Sequence, residues 1–61
     1  MSDYDIKVAL RARGWHEDDV ERIVDELIEL IPEGYTAVEE AMLYDYSLEP
    51  DYMMSLINYA R

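Results

Sequence analysis

The chain contains no cysteine and no phenylalanine, and in 61 residues it has two glycines, two prolines and one histidine. Without cysteine it has no disulfide staple, no thiolate metal site and no thiol nucleophile. Gly14 and Gly34 stand alone, so neither a phosphate-cradling glycine loop nor a Gly-x-Ser-x-Gly elbow can be built. His16 is followed by Glu17, Asp18 and Asp19, but one imidazole with carboxylates on different sides of a helix is not a metal set. No EF-hand loop or His-Glu-x-x-His pattern accompanies it. Carboxylate pairs do acid–base work when a cleft shifts their pKa values, and a few short helices rarely enclose one. The sequence therefore reads as a non-enzyme with no catalytic, cofactor or metal residues.

Long apolar runs are missing too. The longest are a few residues, against the ~20 that span a bilayer. The opening Met1-Ser2-Asp3-Tyr4-Asp5 has neither the basic nor the apolar region of a secretory signal. One domain over residues 1–61, in the cytoplasm, is the expectation. A chain this short buries about 60% of its unfolded surface, so binding to a partner or to a second copy is a common route to extra stability.

Basic side chains are the scarcest chemistry. Five Lys and Arg face fifteen Asp and Glu, a formal charge of −10. Lys7, Arg11, Arg13 and Arg22 share residues 1–22 with six acids, whereas residues 23–61 set nine acids against Arg61 alone. Such a surface repels nucleic acid and anionic membranes and steers basic proteins toward it.

What remains is rich in helical pattern. Ser2 with Asp5 resembles a capping box opening a first helix at 3–13, with Ile6, Ala9, Leu10 and the stem of Arg13 inward and Gly14 beyond its end. Glu17, Asp18 and Asp19 suit the first turn of a second helix running to Ile31. At 100° per residue Val20, Ile23, Val24, Leu27, Leu30 and Ile31 share one arc, with Ile28 at its edge. Pro32 and Gly34 stop that helix. Thr36 with Glu39 forms a capping box for a third, reaching Tyr44 or Tyr46, with Ala37, Val38, Ala41, Met42 and Tyr44 inward. Ser47 to Pro50 reads as a turn. Pro50 then opens a last helix in which Met53, Leu56, Ile57 and Ala60 share a face, flanked by Tyr52 and Tyr59. With no alternating strand pattern, the fold class is all-α, a compact bundle of about four short helices.

Leu10, Gly14, Trp15, Val20, Ile23 and Val24 are spaced like the first two helices of ubiquitin-associated domains, with Arg13 standing where that family has methionine. The Leu10-Arg11-Ala12-Arg13-Gly14 stretch and the helix after it also resemble the three-helix repeats of RecX proteins. Val38-Glu39-Glu40-Ala41 and then Ser47 to Ile57 are similar to a helix-turn-helix whose recognition helix carries no cation before Arg61. These resemblances imply an α-hairpin architecture and assign no family.

Two features suit a partner. Glu17, Glu21, Asp25 and Glu29 run up one side of the second helix at i, i+4 spacing, a like-charge ladder that is either a solvated face or a docking surface. The row Asp18, Arg22, Glu26 pairs its charges instead. Six tyrosines and no phenylalanine favour positions with one dry and one wet end. Tyr44, Tyr46, Tyr52 and Tyr59 fall in the last two helices beside Met42, Met53 and Met54, whose thioethers add adaptable contact surface.

The sequence therefore points to an acidic protein-binding module that docks on a basic surface of a nucleic-acid-handling protein. It would act as an inhibitor or modulator of the anti-restriction or anti-CRISPR type carried by mobile elements, with partial DNA mimicry at most. Direct nucleic-acid binding and membrane binding are not expected. The alternative is a helical adaptor or homodimerisation module that uses the Tyr/Met surface, its acidity serving solubility.

Overall fold

The computed structural model describes residues 4–61. Four helices run α1 (Ile6–Ala12), α2 (Glu17–Leu30), α3 (Tyr35–Tyr46) and α4 (Met53–Ala60), and no strand occurs among the described residues. Short 3₁₀ turns at Ile31–Glu33 and Pro50–Tyr52 lead into α3 and α4. No described helix is long and apolar enough to cross a membrane.

The first helix starts later than its sequence suggests. Asp5 is its N-cap, and the carboxylate accepts the amides of Lys7 at 2.9 Å and Val8 at 3.2 Å, two donors the helix cannot satisfy itself. Ser2, the expected cap, lies outside the described residues. At the other end Gly14 takes φ +93°, its amide donates to the Arg11 carbonyl, and Trp15 donates to Leu10. That pair of bonds is a Schellman closure. It turns the chain sharply into α2 and brings the Trp15 ring against the core.

The second helix is the spine, packing on α1, α3 and α4. Val20, Ile23, Val24 and Leu27 are buried, while Ile28, Leu30 and Ile31 cover the core's edge. Gly34, at φ +114° and ψ 151°, is the N-cap of α3, so the helix begins one residue before Thr36. No side chain caps it, and the Thr36–Glu39 capping box is not formed. Its core contribution is Val38 and Met42. Tyr44, expected inward, is 78% exposed, because it stands about 120° around the helix from Val38.

The turn after α3 supplies a core residue that periodicity misses. Ser47 adopts the left-handed conformation at φ +56°, and its amide donates to the Leu43 carbonyl at 3.1 Å. The amide of Leu48 then returns to the Met42 carbonyl at 2.8 Å, leaving the Leu48 side chain with no exposed surface. Leu56 is the buried residue of α4, while Met53 packs beside the core. Ala60, expected on the inner face, is exposed because it ends the helix, beyond the core layer.

The terminal helices are tied across the molecule. Serine 55 of α4 presents its hydroxyl oxygen to the Ile6 amide at 2.9 Å, satisfying another orphan donor of α1. The hydroxyl of Tyr59 donates to both oxygens of Asp5, at 3.0 and 2.8 Å. Every buried side-chain nitrogen or oxygen among the described residues has a partner.

Candidate protein-docking surface

The four carboxylates of the ladder divide into two pairs. Alpha-1 lies along the N-terminal half of α2, so its cations reach the first two rungs. Lys7 places its ammonium 3.1 Å from both oxygens of Glu21, and the Arg11 guanidinium holds Glu17 through two of its nitrogens. The hydrogen bond from Arg11 holds the Glu17 carboxyl below the usual range and raises the guanidinium in turn. Both groups stand in water, where such pairs contribute little to stability. The ladder is therefore not wholly unpaired. Asp25 and Glu29, past the end of α1, have no ion pair among the described residues.

On the opposite flank of α2, Arg22 reaches Glu26 at 2.9 Å and Asp19 at 3.5 Å. The expected partner Asp18 is not engaged; Asp19, at i−3, has the better reach. Arg13 spends its donors on backbone, giving to the carbonyls of Ala9 at 3.0 Å and Ser47 at 3.2 Å. It joins the end of α1 to the turn after α3, its guanidinium 5.9 Å from the centre of the Tyr52 ring. Four of the five cations are thus engaged near α1 and the N-terminal half of α2. The carboxylates of Asp25, Glu29, Glu33, Glu39, Glu40, Asp45, Glu49 and Asp51 have no cationic partner among the described residues.

Tyr44 and Tyr46 lie in α3, Tyr59 lies in α4, and Tyr52, expected in the last helix, ends the 3₁₀ turn before it. Tyr46 packs edge-on against Trp15 at 5.8 Å and donates to Glu26 at 3.3 Å. Burial, reinforced by the charge and hydrogen bond of Glu26, pushes its phenol above the ordinary value. Tyr52 packs edge-on against Tyr4 at 5.7 Å. Tyr59 lies beneath Lys7, whose ammonium is 4.5 Å from the ring centre. Its phenol is also raised, by burial first and then by the bond to Asp5 and that residue's charge. Burial pushes the Asp5 carboxyl up, but the bonds from Tyr59, Val8 and Lys7 and the charge of Arg11 outweigh it, and the group sits below its usual range. Tyr44 projects into solvent next to Leu43, which is half exposed.

Of the expected methionines, Met42 is fully buried and belongs to the core, Met53 is partly covered, and Met54 is 68% exposed. Met54 is one wall of an open cleft of about 310 Å³. Tyr4, Asp5, Asp51, Ser55, Asn58 and Tyr59 complete it, where the start of α1 meets the outer side of α4. Of these residues the sequence had pointed to Tyr59 and Met54. Ser55 and Asn58 lie in a helix whose apolar face dominates its pattern, and nothing local marks residue 5 as a neighbour of residue 59. No group of three or more His, Asp or Glu side chains that could hold a metal occurs among the described residues. Searches against protein-family models, curated proteins and solved structures find no match for this chain.

Proposed function

We propose that this protein is a non-enzymatic binding module that docks on a basic surface of a partner protein and so inhibits or modulates it. The observation that carries the proposal is the segregation of charge. Lys7, Arg11, Arg13 and Arg22 are engaged around α1 and the N-terminal half of α2, and of the side-chain carboxylates from Asp25 onward only Glu26 has a cationic partner among the described residues. An uncompensated field of one sign raises encounter rates with a surface of the other sign. Surfaces that grip nucleic acid are strongly basic because their Lys and Arg neutralise phosphates, and their owners are the proposed partners.

Close mimicry of duplex DNA is not part of the proposal. The molecule is 27 Å in its longest dimension, a length over which a duplex carries about 16 phosphates. The entire protein has a net charge of −10, fewer charges than the duplex carries over that length. A standard interface takes about 800 Å² per partner, roughly a fifth of the 4212 Å² surface, so the contact draws on several helices.

The test is affinity capture from an extract of the source organism at low and at high salt, with the retained proteins identified by mass spectrometry. A nucleic-acid-handling protein retained at ~50 mM salt and released at ~500 mM is the expected result. Tyr44 and Met54, 78% and 68% exposed, favour a second function, an adaptor or dimerisation module that uses a Tyr/Met surface. A partner held as firmly at high salt as at low, or recovery of the protein's own second copy, would select that function instead.

A further inference from the structure

We propose that the cleft between the start of α1 and the outer side of α4 seats an arginine or lysine side chain presented by a polypeptide partner. Its volume, about 310 Å³, is at the bottom of the range for small-molecule sites and suits one side chain better than a cofactor. Its walls are two tyrosine rings and a thioether, and its charged members are the carboxylates of Asp5 and Asp51; among the described residues no cation lines it, although Lys7 places its ammonium 4.5 Å from the centre of the Tyr59 ring. An anion would meet two like charges there. A purely apolar group would cover Asp51, which has no ion pair among the described residues, and strip it of water without compensation. A side chain with an apolar stem and a cationic head satisfies all the walls at once, the stem against Met54 and the head between the rings and Asp51.

The molecule already pairs its own cations with tyrosines in this manner, Lys7 over Tyr59 and Arg13 over Tyr52. Asp5 is a fixed wall rather than a free acceptor, because its oxygens take the amides of Lys7 and Val8 and the hydroxyl of Tyr59. That same tyrosine joins the cleft to the ladder: Lys7 touches the Tyr59 ring and Glu21 together. The cleft thus adjoins the ladder of α2 through Lys7 at its paired rung Glu21. This assignment rests on the basic-partner function proposed above and supplies its anchor.

The experiment needs no knowledge of the partner. The ¹⁵N-labelled protein is titrated at low salt with acetyl-Gly-Leu-Arg-Leu-Gly-amide, and with the same peptide carrying citrulline in place of arginine. The arginine peptide is expected to shift the amide resonances of Tyr4, Asp51, Met54, Asn58 and Tyr59, and the citrulline peptide to bind at least about threefold more weakly. Asp51 and Met54 are exposed, so Asp51→Asn and Met54→Ala should keep the wild-type spectrum elsewhere while each weakens the arginine peptide by about threefold. Equal binding of the two peptides, or no shift at millimolar peptide, would overturn the cleft as a cation seat. Shifts confined to the neighbourhood of Asp25 and Glu29 would overturn it while leaving the basic-partner function standing. Shifts at the cleft that grow with protein concentration in the absence of peptide would assign it to a second copy and overturn it as well. The reverse failure is equally visible: cleft shifts with arginine dependence, alongside capture indifferent to salt, would keep the seat and remove the charge-steered function.

Discussion

Gly34 and Asp5 show how much of a small fold can hang on single positions. At φ +114° and ψ 151° Gly34 occupies a region essentially reserved for glycine, and there is open space where a Cβ would stand. Gly34→Ala therefore acts through the backbone alone and is expected to cost about 1–3 kcal/mol, seen as a lower denaturant midpoint with an unchanged slope. An effect below a few tenths would mean that α3 starts differently. Asp5 combines a cap with a clasp to α4. Asp5→Ala should cost about 1 kcal/mol through the lost cap, whereas asparagine caps almost as well and isolates the charge. Because the carboxyl is depressed in the fold, the stability it adds is present above its unfolded value, about pH 3.9, and disappears as pH falls through the lower folded value. Tyr59 is raised, so its contribution is complete below about pH 10 and is lost as pH climbs through the higher folded value. The thermal midpoint of wild type should thus exceed that of Asp5→Asn at pH 7, and the gap should narrow as pH falls below about 4. A gap that is absent at pH 7, or that widens in acid, would contradict the clasp.

Among the helices, α2 is the one whose periodicity and position agree: four apolar residues on one arc, acids in the first turn, and a stop at the proline. Local rules were sufficient there because burial on one side is what a spine helix needs. They were insufficient wherever a turn, rather than a repeat, decides which side chain goes inside. The sequence places Leu48 in a turn, and the left-handed Ser47 swings the Leu48 amide back to Met42 and its side chain into the core. The capping box at Thr36 was present in sequence and unused, since the glycine two residues earlier had already set the start of α3. Tyr44 carries an apolar ring but sits off the arc of Val38 and Met42, so its hydrophobicity was no guide to its side. These differences give a paired test. Leu48→Ala should cost at least 2 kcal/mol, a large part of the few kcal/mol available to so small a domain, while Tyr44→Ala should change stability by less than ~0.5 kcal/mol. Comparable melting temperatures for the two variants would refute this placement of the turn. The candidate site was legible to a smaller degree. The ladder's spacing came from the sequence, but its division into neutralised and bare halves depends on where α1 lies. The cleft brings Tyr4 and Asp5 to Tyr59, a closure across nearly the whole chain.

For the protein as a whole, the asymmetry of charge is the property on which the proposed function rests. A −10 domain of 61 residues repels itself and costs stability to maintain, and α2 bears part of that cost in its like-charged rungs. Pairing by Lys7 and Arg11 relieves the rungs nearest α1, which leaves Asp25 and Glu29 as the positions where charge can be changed without breaking a contact. Reversing both to lysine lowers the net negative charge by four. A lysine at 25 lies four residues after Glu21, and one at 29 lies near the C-terminal end of α2, both favourable placements. The decisive measurement is the rate at which the partner recovered by capture associates with wild type and with the Asp25→Lys/Glu29→Lys double variant, at low and high salt, alongside both thermal midpoints. The expected result is an equal or higher midpoint for the variant, with association at low salt slowed by an order of magnitude or so and the difference vanishing at high salt. Wild-type association at low salt from a variant that folds normally would contradict docking through the acidic face.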